Sequence, residues 1–235
     1  MQHSSTSKLS IQEAYEQVRQ GVPLLQTTRG DITPLKDWYT FANAHWVPLH
    51  IIPGSFNPLH KGHMAIFESL PFYELSEYGD VSMIREILGD PRSGRGIRTF
   101  ELSISTVDKV PVSLEELEAR LKQFVGRGPV ILTNAPTFQE KIAAIKDVAP
   151  AMRLRNSKLI FHIGADTAKR LHNHVGPVGL SAMDALFLVY PRRQNGKLVE
   201  YPDHPNFWHA TMKEEFLDYS STAIRNGSTE GVLTT

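Results

Sequence analysis

The sequence predicts an α/β fold: a doubly wound parallel sheet, an α/β/α sandwich, preceded by an N-terminal helical extension. Three observations predict it. KLIFHIG (158–164) and DALFLVY (184–190) are continuous apolar runs, the kind buried on both faces of a parallel sheet. Helix-patterned stretches such as TFQEKIAAIKDV and ADTAKRLHNH lie between such runs. Strand and helix patterns alternate in this way at least four times, within a length that suits one large domain or two small ones.

Taken in order, residues 1–46 form the extension and residues 47–235 the main domain. In LSIQEAYEQVRQG, Ser10 is a helix N-cap with Glu13 three residues on, and Gly21 is a stop. Ile11, Ala14, Tyr15 and Val18 make its apolar stripe. TPLKDWYTFANAHW (33–46) reads as a second short helix. Neither stretch carries a chemical pattern, so packing or an oligomer contact is the expected use. VPLHIIP (47–53) is a short buried strand despite His50, and KGHMAIFESL (61–70) is the helix after it, ended by Pro71. Residues 71–98, with the Gly- and Arg-rich GDPRSGRGIR, read as a loop, a surface insertion in preference to a substrate lid. TFELSIST is β-rich, and SLEELEARLKQF is a helix with Ser113 and Glu116 as its capping box. PVILTN and NFWHAT are strands, and SSTAIRNG opens a short helix stopped by Gly227.

Composition narrows the function. Lys+Arg and Asp+Glu both total 25, so the formal net charge is zero. A general nucleic-acid or membrane-surface binder would carry a basic excess. Cysteine is absent, which removes disulfides and thiolate metal sites. No run of 18 apolar residues predicts a transmembrane helix, and the polar start MQHSSTSKLS lacks a signal core, so a cytoplasmic protein is expected.

The informative stretch is IIPGSFNPLHKGHMAIF (51–67), where a glycine-bearing turn and two histidines follow an apolar run. A metal site, a phosphate site and a plain turn all deserve weight. Zinc needs three or four ligands, and no acidic residue sits at metal spacing beside His60 and His63, so no metal site is expected. A lone His-x-x-His fits a plain turn. The position of the whole run, between a strand and a helix, favours phosphate. Gly54 lets the backbone turn and expose N–H groups, with Ser55 and Phe56 on the turn, and the helix begins near Lys61. Its N-terminus favours an anion, towards which His60 and His63 are placed, and Gly62 leaves room for close approach.

GSFNPLHKGH resembles the G-x-F-x-P-x-H-x-G-H signature of the nucleotidyltransferase superfamily: Gly54, Phe56, Pro58, His60, Gly62 and His63 fill all six fixed positions. YSSTAIR (219–225) is similar to that superfamily's second motif, I-S-S-T-x-I-R, with Tyr219 in place of isoleucine. Ser220 or Ser221 suits a helix cap, and Arg225 shares a helix face with Ser221 and Thr222. Gly164 and Asp166 resemble the G-x-D segment of the nicotinate and nicotinamide mononucleotide adenylyltransferases. Asp166 is equally suited to capping the helix that follows. VYPRR is similar to the strand-plus-basic segment of the same enzymes, which offers Arg192 and Arg193 as weaker phosphate contacts. The resemblance spans roughly residues 47–229 and is diffuse between its ends. The P-P-H-K-like and S-Y-T-x-D-T-like segments of those enzymes are missing, as is a tryptophan after GADTAKRLHNH.

The resemblance implies a Rossmann-like fold and an adenylyltransferase that moves AMP from ATP to a small phosphorylated acceptor, with nicotinamide or nicotinate mononucleotide first. It implies His60, His63 and Arg225 as catalytic residues. Gly54, Ser55, Phe56, Gly62, Gly164, Asp166, Ser220, Ser221 and Thr222 are the implied nucleotide contacts, with Lys61 a minor cation and Mg2+ arriving with the nucleotide. No nucleic acid or membrane partner is expected, and a homo-oligomer is compatible. A cytidylyltransferase or pantetheine-phosphate-type enzyme is the second reading, and a nucleotide-binding protein without turnover the third.

Overall fold

The computed structural model describes residues 8–37, 49–69, 97–105, 107, 110–148, 159–219 and 221–233. The expected second helix lies largely outside them, as does most of the 71–98 loop. The chain divides into two compact units, Met1–Trp46 with Thr99–Ser157 and Val47–Arg98 with Lys158–Thr235. Both are α/β.

The first unit holds α1 (Ile11–Arg19), β1 (Leu24–Gln26), β2 (Ile32–Pro34), most of β4 (Ile97–Ser103), α3 (Leu114–Lys122), β5 (Val130–Thr133) and α4 (Phe138–Asp147). Helices start where the sequence places their caps. The hydroxyls of Ser10 and Ser113 each accept from the amide three residues on, and Glu13 and Glu116 reach back to the cap amides. Thr137 and Glu140 make a third such box on α4. Each satisfies two amides that the helix itself cannot. β4 runs parallel to β5, while β1 lies antiparallel to β5 and to β2. The N-terminal stretch therefore supplies a helix, as expected, and also two strands that were not. Three residues are too few for a period-2 pattern to declare itself. One face of β4 is polar and buried: Thr99, Glu101 and Ser103. Glu101 Oε1 accepts from Lys141 Nζ at 2.7 Å and from Thr133 Oγ1 at 2.6 Å.

The second unit holds β3 (Leu49–Pro53), α2 (Lys61–Ser69), β6 (Leu159–Gly164), α5 (Ala165–Ser181), β7 (Ala185–Tyr190) and β10 (Phe207–His209). Its four strands are all parallel: β3 pairs with β6, β6 with β7 and β7 with β10. Their apolar side chains are almost wholly buried, Leu49, Ile51, Phe161 and Phe187 among them. That is the continuous apolar pattern read from the sequence. α5 runs past the expected end at His174, because the chain kinks at Gly176 (φ 67°) and Pro177 starts a further helical turn. A buried polar chain crosses β3, β6 and β7. His50 Nδ1 lies 2.9 Å from His162 Nε2, and His162 Nδ1 lies 3.0 Å from the Tyr190 hydroxyl. After β7 come a two-stranded hairpin, β8 (Arg193–Gln194) and β9 (Lys197–Leu198), a short 3-10 turn (Glu214–Phe216) and α6 (Ser221–Arg225). The hairpin turns on Asn195 and Gly196, both at positive φ.

Candidate active site

The carboxyl ends of β3 and β6 are neighbours. The register Ile51–Phe161, continued, brings Gly54 level with Gly164. Ligands of open parallel sheets sit at such ends.

The loop between β3 and α2 is built around Phe56. Its backbone has φ 45°, and its ring is fully buried. A Cβ on Gly54 would stand 2.9 Å from that ring, so glycine there is fixed by the packing of Phe56. The ring meets His63 edge-on, with centroids 4.9 Å apart. α6 ties the loop from the other side. Ser221 Oγ donates to the Pro58 carbonyl at 2.8 Å, and Arg225 Nη1 donates to the Asn57 carbonyl. The two motifs, more than 150 residues apart in sequence, thus meet in one place. Ser221 and Arg225 act there as clamps on the loop. Ser220 and the side chain of Thr222 lie outside the described residues.

His60 and His63 stack at the start of α2, with ring centroids 3.6 Å apart and planes 25° apart. The His60 amide donates to His63 Nδ1 at 3.3 Å. A neutral His63 therefore carries its proton on Nε2, and that N–H is its free donor. His60 is 3% exposed, and its Nδ1 has no hydrogen-bond partner among the described residues. Burial, then the charge of Arg192, lowers the His60 pKa to about 4. Burial, then His60 and Arg192, holds His63 well below the usual histidine range. Both rings are neutral donors at pH 7. The space over Gly62 is filled: a Cβ there would lie 3.1 Å from the His60 ring and 3.3 Å from Tyr219 Cβ. A side chain at this position would press on the His60 ring and Tyr219, which glycine avoids. Lys61 is exposed.

Across the crevice, Gly164 is the N-cap of α5 and Asp166 stands in its first turn. Asp166 is therefore not the cap. Its carboxylate pairs with Arg170 at 3.5 Å, an exposed contact. A Cβ on Gly164 would lie 2.8 Å from Asp166 Oδ1 and 2.9 Å from Arg192 Cγ. The glycine lets the Arg192 stem lie against the strand end, and its charge acts on both histidines. Burial pushes the Arg192 guanidinium below its ordinary pKa, against the pull of Asp166 and Asp218. Arg193 faces the other way, with ion pairs to Glu214 at 2.8 Å and Asp218 at 3.1 Å. The sequence offers the two arginines as equals, whereas the hairpin that begins at Arg193 separates them.

The described site thus contains two neutral histidines, one buried imidazole nitrogen without a partner, a half-buried guanidinium and a helix N-terminus. The guanidinium, the His63 Nε2–H and the helix N-terminus favour an oxyanion, and the Asp166 carboxylate opposes one. Among the described residues no three His, Asp or Glu side chains converge on a metal position.

No family model and no curated protein matches the chain. Solved structures do. It is similar to Plasmodium falciparum nicotinic acid mononucleotide adenylyltransferase complexed with NaAD, at 12% identity and a TM-score of 0.51, over 77% of this chain and 83% of that one. The same enzyme complexed with APC gives 12% identity and a TM-score of 0.49 over the same shares. At this identity the likeness defines the fold alone: a Rossmann-like α/β architecture. No helix among the described residues is long and apolar enough to cross a membrane.

Proposed function

We propose that the protein is a nucleotidyltransferase that moves AMP from ATP to a small phosphorylated acceptor and releases pyrophosphate. Nicotinate or nicotinamide mononucleotide is the first acceptor to test, in line with the activity named for the structural neighbours. The observation that carries the reading is the stacked His60–His63 pair at the start of α2, faced by the charge of Arg192. An acceptor phosphate oxygen would attack the α-phosphorus, and the bond to the β-phosphate oxygen would break. The acceptor is already anionic, so the site needs no strong base. Catalysis is then positioning and charge stabilisation. The His63 Nε2–H donates to the α-phosphate oxygens as charge grows on them, and the Arg192 guanidinium adds a cation. Gly164 and Asp166 are the proposed contacts of the nucleoside at the strand ends. Ser221 and Arg225 hold the Asn57–Pro58 loop, and Thr222 and Arg225 are the proposed contacts of the terminal phosphates. Mg2+ would enter on the triphosphate, whose oxygens and water supply most of its ligands.

The test is His63→Ala with pyrophosphate release as readout. Loss of one donor of this type costs on the order of 10²–10³ in rate. Unchanged turnover would exclude His63 from the reaction. A second reading, nucleotide binding without turnover, draws support from the coverage of His60, which is 3% exposed. Binding of ATP with no pyrophosphate release across a panel of phosphorylated acceptors would select it. A CTP comparison in the same assay separates adenylyl from cytidylyl transfer.

A further inference from the structure

We propose that residues 227–233 form an autoinhibitory strap: docked on the start of α2, it closes the anion site, and a triphosphate binds as the strap lifts. The proposal rests on the phosphate-site reading above and adds its regulation.

The strap occupies the donors an anion would use. The Lys61 amide, the first N–H of α2, donates to the Gly231 carbonyl at 2.8 Å. His60 and Val232 form an antiparallel bridge pair beside it. The His63 amide turns back to the His60 carbonyl at 2.9 Å. Two of the first three amides of the helix are therefore in use. A carbonyl oxygen also brings partial negative charge to the positive end of the helix dipole, where a phosphate would have to displace it. The unpartnered His60 Nδ1 is the second sign of a site that is built but closed. A buried ring nitrogen without a partner is costly and points to a ligand that supplies one.

The docked strap is specific and weakly held. Gly231 has φ 79°, and a Cβ there would lie 2.9 Å from Tyr219 Cγ. Only glycine fits between the Tyr219 ring and the helix start. Tyr219 is the one position where YSSTAIR departs from its motif, and it supplies the surface on which the strap rests. Along the strap, Gly231 is buried while Gly227, Thr229, Glu230 and Val232 are exposed. Apart from the bridge to the helix start, its hydrogen bonds are local: Gly227 N–H to the Ile224 carbonyl, Glu230 N–H to Ser228 Oγ and Val232 N–H to the Thr229 carbonyl. A segment with so few buried contacts belongs to the low-stability end of a protein, which opens locally without global unfolding.

The experiment compares the full chain with Gly231→Ala and Val232→Pro. Alanine is strained at positive φ and meets Tyr219. Proline restricts Gly231 and removes the Val232 N–H. Isothermal titration with inorganic tripolyphosphate and with ATP gives affinities, and hydrogen exchange follows the Lys61 amide and the 227–233 peptide. Both variants should bind tripolyphosphate about tenfold tighter than the parent, since strain of this size at one residue shifts a docking equilibrium by about that factor. In the parent, tripolyphosphate should speed exchange in 227–233. Equal or weaker affinity in variants whose strap exchange is fast would overturn the strap and leave the phosphate site standing. Absence of tripolyphosphate and ATP binding in all three folded proteins would remove the phosphate site and the strap together.

Discussion

Two buried polar clusters, one in each unit, show what separates a structural site from a ligand site. In the first, Lys141 Nζ and Thr133 Oγ1 both donate to Glu101 Oε1. In the second, Arg192 faces two neutral imidazoles across the β3–β6 crevice. Each cluster contains one buried atom without a partner, Glu101 Oε2 and His60 Nδ1. An orphan atom alone therefore does not identify function. The pairing of charges does: the first cluster pairs its cation with its anion at 2.7 Å, while in the second Asp166 and Asp218 only pull on the Arg192 guanidinium and no described carboxylate forms an ion pair with it.

The largest effect expected is on the balanced cluster. Lys141→Met should leave the Glu101 carboxylate buried and unpaired, which costs about 3–5 kcal/mol. The double variant Glu101→Leu/Lys141→Met should recover most of that loss, because two well-packed apolar side chains replace a buried pair at little net cost. Urea unfolding of the three proteins measures both effects. Additive losses in the double variant would mean the pair is not a unit.

Next comes pH, which acts on the other cluster. His60 titrates near pH 4 in the folded chain and near the ordinary 6.5 when unfolded. Between these values the unfolded chain binds more protons, so stability falls as pH drops from about 6.5 to 4. At 1.36 kcal/mol per unit the His60 contribution reaches about 3 kcal/mol. His60→Gln should make the pH dependence of the unfolding free energy less steep across this window, with the buried His63 and His162 keeping their own share. An unchanged slope would show that burial does not govern His60. Bound triphosphate should raise the histidine pKa values and flatten the slope as well, which no ligand would do for Lys141 and Glu101.

The contrast between the clusters was only half legible in the sequence. GSFNPLHKGH and YSSTAIR could be read because their chemistry is local: residue types at fixed spacing, placed between a strand and a helix. The parallel strands could be read because residues such as Ile160 and Phe187 are apolar on both faces. Three kinds of feature could not. β1 and β2 are too short to show a period. The His50–His162–Tyr190 chain and the Glu101–Lys141 pair depend on contacts 28 to 112 residues apart. The 227–233 strap depends on Tyr219, which in the sequence is only a departure from a motif.

A smaller effect should separate nucleotide binding from fold. Arg192→Ala should weaken ATP and tripolyphosphate binding by about ten- to a hundredfold, the range of one charge-assisted hydrogen bond. Its melting temperature without ligand should fall little, because the side chain makes no hydrogen bond or ion pair with the described residues. Arg192→Lys should restore only part of the affinity, since a point charge cannot reproduce a planar fork. Retained affinity in Arg192→Ala would take the cation out of the site and dissolve the contrast with Lys141.

The smallest effect belongs to the next residue. Arg193 holds Glu214 and Asp218 at the surface, where the hydrogen bond it donates to Glu214 raises its pKa. Water and salt screen such pairs, and most of them contribute little to stability. Arg193→Ala should therefore leave nucleotide affinity and pyrophosphate release unchanged, measured beside Arg192→Ala under the same conditions. The comparison is sharp because charge, side-chain type and sequence context are nearly identical. Only direction differs: Tyr190 ends β7, Arg193 enters the hairpin and pairs with carboxylates, and Arg192 between them is left against Gly164, facing the histidines. Equal losses in the two variants would mean that the net positive charge of the segment, rather than the geometry at Gly164, attracts the nucleotide. That outcome would be exposed by salt, because a long-range field is screened within about 8–10 Å at physiological ionic strength while a partly buried contact is screened much less.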